Sequence, residues 1–268
     1  MSASDILQRI LATKRTEIAA GQRERPLAQV EREAREAPPT RGFEQAIRRD
    51  AALGAAVIAE IKRASPSAGT IRADLDVAAV AASYERNGAT CLSVLTDREY
   101  FGGSPADLRA ARDACRLPVL RKDFVVDPWQ VYESRAMGAD CILLIVGAAP
   151  AHTLLELEHL AKSLGMDVLV ESHDGAELEV ALQLQTALVG INNRDLRTFT
   201  TRLETTVELL PAIPTGRIVV TESGIGTPDQ VLGLKAQGVS AYLVGSAFMS
   251  APDPGAELSK LFSGVRKG

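Results

Sequence analysis

From Ala55 onward the chain repeats one device: a short aliphatic run closes on a few polar residues and gives way to an amphipathic stretch. The runs are AAVIAEI, CLSVL, LPVLRK, DCILLIV, DVLVE, ALVGIN, RIVVTE and AYLV, with segments such as Ala106 to Cys115 and Val131 to Met137 between them. Near-continuous apolar runs suit strands covered on both faces, and a helical crossover is what joins parallel neighbours. Eight consecutive βα units favour a closed α/β fold, the (β/α)8 TIM barrel, over an open doubly wound sheet. Gly88, Gly138, Gly165 and Gly238, in the phrases NGA, MGA, LGM and QGV, suit the left-handed position that ends a helix.

The 268 residues fit one such barrel, which commonly takes about 250. The expected organisation is a single domain over residues 1–268, with 1–50 as an N-terminal helical extension. Ile6, Leu7, Ile10, Leu11 and Ile18 fall at helical spacing behind Ser4 and Asp5, so a first amphipathic helix is expected to end near Gly21. A second, Leu27 to Arg35, carries a charged, solvated face before Pro38-Pro39 breaks the chain.

A formal net charge of -4 argues against a general nucleic-acid binder, so any anion site must be local. Cys91, Cys115 and Cys141 are far apart and odd in number, which argues against a disulfide framework or a zinc site. The longest apolar run, Cys141 to Ala149, is too short to span a bilayer, and Asp5 and Glu17 do not suit a transit peptide. These features point to a cytoplasmic chain without membrane contact, and no cofactor or metal is expected; a monomer is expected, with a weak homodimer as the alternative.

In such barrels chemistry sits at the C-terminal strand ends. Strand side chains alternate, so Glu60 and Lys62 point into the mouth while Ile61 faces the helices. By the same alternation Lys122 and Phe124 share a face, Glu171 closes the fifth run, and Asn192 and Arg194 leave the sixth together. Any one of these charges could be a solvated strand end; a ring of them around one cavity reads as a site.

The last two units read Thr221-Glu222-Ser223-Gly224-Ile225-Gly226 and Val244-Gly245-Ser246, each a strand, a small-residue loop and a helix start. Glycines alone make tight turns. Two such loops at units seven and eight, with a short helix near Ala247, make a phosphate site from backbone N–H groups, so the expected ligand is a small phosphorylated substrate. The loop Arg63 to Thr70 is small and polar enough to close over a ligand and to bring Lys62 or Ser65 to the phosphate.

The phrases AEIKRASPS, LTDREYFGGS, LRKDFVVD, LLIV, LVESHD, GINNRDL, TESGI and LVGSAFM, with DILQRILATKRTEIA before them, resemble the indole-3-glycerol phosphate synthase family across nearly the whole chain. ESGI recurs in other phosphate-binding barrels, whereas AEIKRASPS, KDF and GINNRD on strands one, three and six are specific. The resemblance implies ring closure of 1-(2-carboxyphenylamino)-1-deoxyribulose 5-phosphate to indole-3-glycerol phosphate, with loss of carbon dioxide and water, in tryptophan biosynthesis. It further implies Lys122 as the acid at the ketone oxygen, Glu171 as the base of dehydration, and Lys122 or Lys62 as the acid there. Neighbouring cations would lower the proton affinity of either lysine. Asn192 and Glu60 would hold hydroxyls and orient Glu171; Arg194 and Lys62 would meet the aryl carboxylate; Phe101, Phe124 and Leu143 would wall the aromatic ring. Ser65, Ser223, Gly224, Gly245 and Ser246 would hold the phosphate.

His152 and His159 read as surface residues, His173 as a loop residue beside Glu171, and Asp195 as a brace of its own loop. Asp123 and Glu222 have opposite parity to Lys122 and Ser223 and read as structural partners on the helix side. Two other readings stand beside the main one: a different phosphate-sugar barrel such as phosphoribosylanthranilate isomerase or the tryptophan synthase α subunit, and a non-catalytic barrel that binds a phosphorylated metabolite.

Overall fold

The structure, a computed structural model, describes residues 3–195 and 198–265. Eight parallel strands close into a barrel: β1 Ala56–Ile61, β2 Cys91–Leu95, β3 Val119–Lys122, β4 Cys141–Ile145, β5 Asp167–Ser172, β6 Leu188–Asn192, β7 Ile218–Glu222 and β8 Ala241–Val244. Each pairs with its neighbours along the chain, and β1 pairs with β8 at Ala56↔Ala241 to close the ring. Alternation divides the side chains into two layers. Ala56, Ile58, Cys91, Leu120, Cys141, Leu143, Leu169, Leu188, Val220 and Leu243 fill the interior, whereas Val57, Ile61, Val94, Val168, Ile191 and Tyr242 pack under the helices. All three cysteines are free and buried.

Between the strands run the helices expected from the amphipathic stretches, starting earlier than the apolar spacing alone indicates. The helix after β2 spans Pro105–Ala114 and the one after β3 spans Pro128–Ala136. Ser104 and Asp127 cap them, and a proline occupies the first turn, where its missing N–H costs nothing. Gly88, Gly138, Gly165 and Gly238 all have positive φ at helix ends.

Three helices precede the barrel: α1 Ala3–Glu24, α2 Leu27–Glu36 and α3 Phe43–Ala52. The first does not stop at Gly21. A Cβ at that position would lie 2.5 Å from Cη2 of Trp129, so the glycine stays helical and lets α1 pack face to face on the indole. Sequence reading did not separate α3, whose Phe43 and Ile47 are fully buried and plug the bottom of the interior. Its start is fixed by strand-base carboxylates: Arg41 N–H donates to Asp140 Oδ1 and Glu44 N–H to Asp167 Oδ2, both at 2.8 Å.

The opposite, C-terminal end of the barrel is covered by α1. Lys14, 3% exposed, reaches down to Asp97 at 2.7 Å and Asp123 at 3.0 Å. Asp123 also accepts from Thr96 Oγ1 at 2.5 Å and lies 3.2 Å from Arg121, structural partnerships that its parity indicates, yet it also borders the cavity at the mouth. These cations hold its carboxyl down at about 2 against the opposing effect of burial. No helix among the described residues is long and apolar enough to cross a membrane.

Candidate active site

The mouth of the barrel encloses a cavity of about 510 Å³. Every residue singled out at the strand ends lines it: Glu60, Lys62 and Ser65 from the first unit, Phe101 from the second, Lys122 and Phe124 from the third, Leu143 from the fourth, Glu171 from the fifth, Asn192 and Arg194 from the sixth, and Ser223, Gly224, Gly245 and Ser246 from the last two.

The charged groups form two linked clusters. On β1, Lys62 Nζ lies 2.6 Å from Glu60 Oε1. Across the mouth, Lys122 Nζ lies 3.1 Å from Glu171 Oε2 and 3.6 Å from Glu222 Oε2. Asn192 Nδ2 donates to Glu171 Oε1 at 3.1 Å. Lys122 thus stands among carboxylates rather than cations. Burial disfavours its charge, but Glu171, Glu222 and Glu60 outweigh burial and raise its proton affinity, opposite to the lowering expected from neighbouring cations. Burial likewise opposes ionisation of Glu171, yet Lys122, His173 and Asn192 hold its carboxyl well below the usual range.

Glu222 departs from the sequence reading. Its strand runs Ile218, Val220, Glu222 along the interior face, and the strand ends there, so the side chain enters the cavity instead of the helix layer. Ser223, the residue from which parity was counted, has left the ladder with φ 67°. Counting from Val220 inside the strand would have placed Glu222 correctly. Burial and the charge of Glu171 push its carboxyl well above the carboxylate range.

The two small-residue loops face each other beside this cluster. Ser223 and Gly224, with φ 67° and 84°, are successive left-handed residues that turn the chain sharply after β7. Ser246 starts a short helix to Met249. A Cβ on Gly245 would stand 2.3 Å from Glu60 Oε1, so this glycine also makes room for the Glu60 carboxylate.

Above the mouth, Ala64–Ser65 and Gly69–Thr70 form a small antiparallel hairpin. Arg194 donates to Ser67 Oγ and joins this hairpin to the loop after β6. Phe101 and Phe124 stand with ring centroids 6.3 Å apart, tilted by 39°, and form one apolar wall with Leu143 below. Ile6, Leu7 and Ile10 of α1 complete the cavity, as does Phe199. The apolar stripe of α1 was legible in the sequence; its placement over the mouth was not. His152 and His159 are exposed, and Asp195 accepts from Thr198 N–H within its own loop at 3.4 Å.

The barrel mouth thus carries an aromatic wall, a half-buried lysine among carboxylates and two small-residue loops. The sequence profile of the indole-3-glycerol phosphate synthase family matches residues 7–261. The indole-3-glycerol phosphate synthase of Aromatoleum aromaticum is 62% identical over 260 residues, covering 97% of this chain and 99% of that one. Its counterpart from Dechloromonas aromatica is 59% identical over 261 residues, covering 97% and 100%. Among solved structures, 3-hexulose-6-phosphate synthase from Salmonella typhimurium superposes with a TM-score of 0.62 over 78% of this chain and 97% of that one, at 13% identity, a likeness of fold alone. The chain belongs to the indole-3-glycerol phosphate synthase family.

Proposed function

We propose that this chain closes the indole ring of 1-(2-carboxyphenylamino)-1-deoxyribulose 5-phosphate, releasing carbon dioxide and water and yielding indole-3-glycerol phosphate, with Lys122 and Glu171 at the reacting atoms. As a member of its family it is a decarboxylating carbon–carbon lyase of tryptophan biosynthesis. The observation that carries the residue assignment is the position of Lys122, half-buried and held as an ammonium by Glu171 at 3.1 Å and Glu222 at 3.6 Å, beside an aromatic wall.

The aryl carbon bearing the carboxylate attacks the ketone carbon, and the carbonyl pair moves to oxygen, which takes a proton from Lys122. A fixed ammonium in a desolvated site stabilises the charge developing on that oxygen without reorganisation. The bond to the carboxylate then breaks, carbon dioxide leaves, and its electron pair restores the aromatic ring. Glu171 removes the remaining proton, and the hydroxyl departs as water with a proton from Lys62, which Glu60 holds at 2.6 Å. Arg194 and Lys62 position the aryl carboxylate without gripping it, since only stronger binding in the transition state accelerates its loss. Asn192 orients Glu171 through its 3.1 Å hydrogen bond. Ser65, Ser223, Gly224, Gly245 and Ser246 anchor the phosphate, and Phe101, Phe124 and Leu143 flank the ring.

We also take residues 1–268 to act as one domain and as a monomer in the cytoplasm. Among the described residues the exposed large apolar side chains Leu27, Leu53, Leu155, Phe199 and Leu232 come from separate stretches of the chain, which supports a surface without a dedicated partner patch. Mixing the purified protein with the carboxyphenylamino substrate tests the reaction. Indole fluorescence should appear with one carbon dioxide per product, and its absence at saturating protein would reject the reading.

A further inference from the structure

His173 is the first residue after the fifth strand, whose end carries Glu171. It lies against Glu171, its side chain 11% exposed and its Nε2 3.4 Å from Glu171 Oε1. On its far side Nδ1 lies 2.9 Å from Glu177 Oε2, and the same oxygen accepts the His173 backbone N–H at 2.9 Å. Glu177 stands in the first turn of the helix Gly175–Ala181, so the ring is tethered between a catalytic strand and the helix that follows it. Nε2 is buried and makes no hydrogen bond of good geometry among the described residues. Each ring nitrogen therefore faces a carboxylate oxygen. A lone pair on either would oppose an anion, so both nitrogens carry protons.

Such a cation matters because of how the surrounding charges add up. Lys62 pairs with Glu60, which leaves Lys122 to face both Glu171 and Glu222. One ammonium balances one carboxylate, and two buried carboxylates beside it share a proton. Glu171 has Asn192, Lys122 and His173 around its oxygens, whereas Glu222 has Lys122 at 3.6 Å and an Oε1 that is buried without a hydrogen-bond partner among the described residues. We infer that His173 is a positioning residue for the base: its imidazolium, tethered by Glu177, holds the negative charge of this carboxylate pair on Glu171 and leaves the proton on Glu222.

The electrostatics agree with this placement. Burial opposes the charge of His173, but the carboxylates of Glu171 and Glu177 raise it to about 10. The groups facing Glu171 are Lys122 from β3, Glu222 from β7, Glu60 from β1, Asn192 from β6 and His173 itself; those facing His173 are Glu171 and Glu177. The inference rests on the reading of Glu171 as base.

The chain has three histidines, so the ring signals can be followed by NMR, with that of His173 identified by its loss in His173→Gln. His173 should stay cationic at pH 7.5, at least about one pH unit above an unperturbed imidazole, and should titrate lower in Glu171→Gln. A neutral His173 ring at pH 7.5 in the wild-type protein would overturn the inference, and this readout needs no turnover, so it stands apart from the fate of the proposed reaction. In kinetics, His173→Gln should lower kcat about tenfold with KM within about twofold. The acidic limb of kcat/KM should move to higher pH, because a base without its cation binds its proton more tightly. An unmoved acidic limb with unchanged kcat in a folded His173→Gln protein would equally overturn it. Adding Glu222→Gln should shrink the effect of His173→Gln, since the competing carboxyl is then gone; an effect of full size in that background would refute the proton-sharing part.

Discussion

Glu222 occupies space that Gly190 leaves empty: a Cβ on Gly190 would fall 2.5 Å from Glu222 Oε1. The two residues lie on adjacent strands, with Gly190 paired to Val220, and this missing side chain lets a third carboxylate stand beside Lys122.

Gly190→Ala should therefore act on the site more than on the fold. The new methyl also meets Val170 O at 3.3 Å, but its severe contact is the movable end of the Glu222 side chain. Overpacking of this kind costs about 1–3 kcal/mol. Thermal unfolding should shift by several degrees, and steady-state kinetics should show kcat down about tenfold or more. Wild-type turnover in the alanine variant would show that the position of Glu222 does not matter.

Lys14→Met tests how α1 is held over the mouth. Removing the ammonium leaves Asp97 and Asp123 buried with one cation fewer, and breaking a buried ion pair costs about 3–5 kcal/mol. The single tryptophan, Trp129, reports on α1 directly, since its Nε1 donates to Arg25 O at 2.9 Å and Gly21 packs on its ring. Chemical denaturation should show the loss in stability, and the indole emission of the native variant should move toward that of a solvated ring. KM should rise, because Ile6, Leu7 and Ile10 then no longer close the cavity firmly.

Asp123 sets a limit on acid stability. Its folded carboxyl is held down at about 2, below the unfolded value of about 3.9. A depressed acid stabilises the fold above its unfolded value and loses that contribution as pH falls through the folded one. Unfolding free energy should thus decline between about pH 4 and pH 2, with about 2 kcal/mol of the decline due to this residue. Denaturation curves of Asp123→Asn should lack that part of the slope.

Much of this was legible in the sequence. Continuous apolar strands separated by helices pointed to the barrel, and alternation from Glu60 through Arg194 brought the strand-end charges to one mouth. Misreadings came where alternation stops. Glu222 was judged against Ser223, whose left-handed backbone no longer follows the strand. Lys122 was expected among cations because pairing across the barrel is a long-range fact: Glu171 and Glu222 reach it from strands that are not its neighbours in the sheet. The plug made by Phe43 and Ile47 went unseen because its short helix shows only two large apolar residues among Glu44, Arg48, Arg49 and Asp50, and its partners are the bases of distant strands.

Glu171→Gln separates the base from the binding site. The amide keeps the shape and one acceptor for Asn192, so substrate affinity should remain within a few-fold, whereas turnover should fall by about 10²–10⁴-fold. Single-turnover quench should then catch the decarboxylated, hydroxylated intermediate, with carbon dioxide released before the indole forms. Normal indole formation would remove Glu171 from the dehydration step.

The most direct test of the central claim is product formation by Lys122→Ala with binding of the phosphate end measured in the same protein. Loss of indole fluorescence by about three orders of magnitude or more, while indole-3-glycerol phosphate still binds with near wild-type affinity, is the expected result. A Lys122→Ala protein that forms the indole at the wild-type rate would contradict the account.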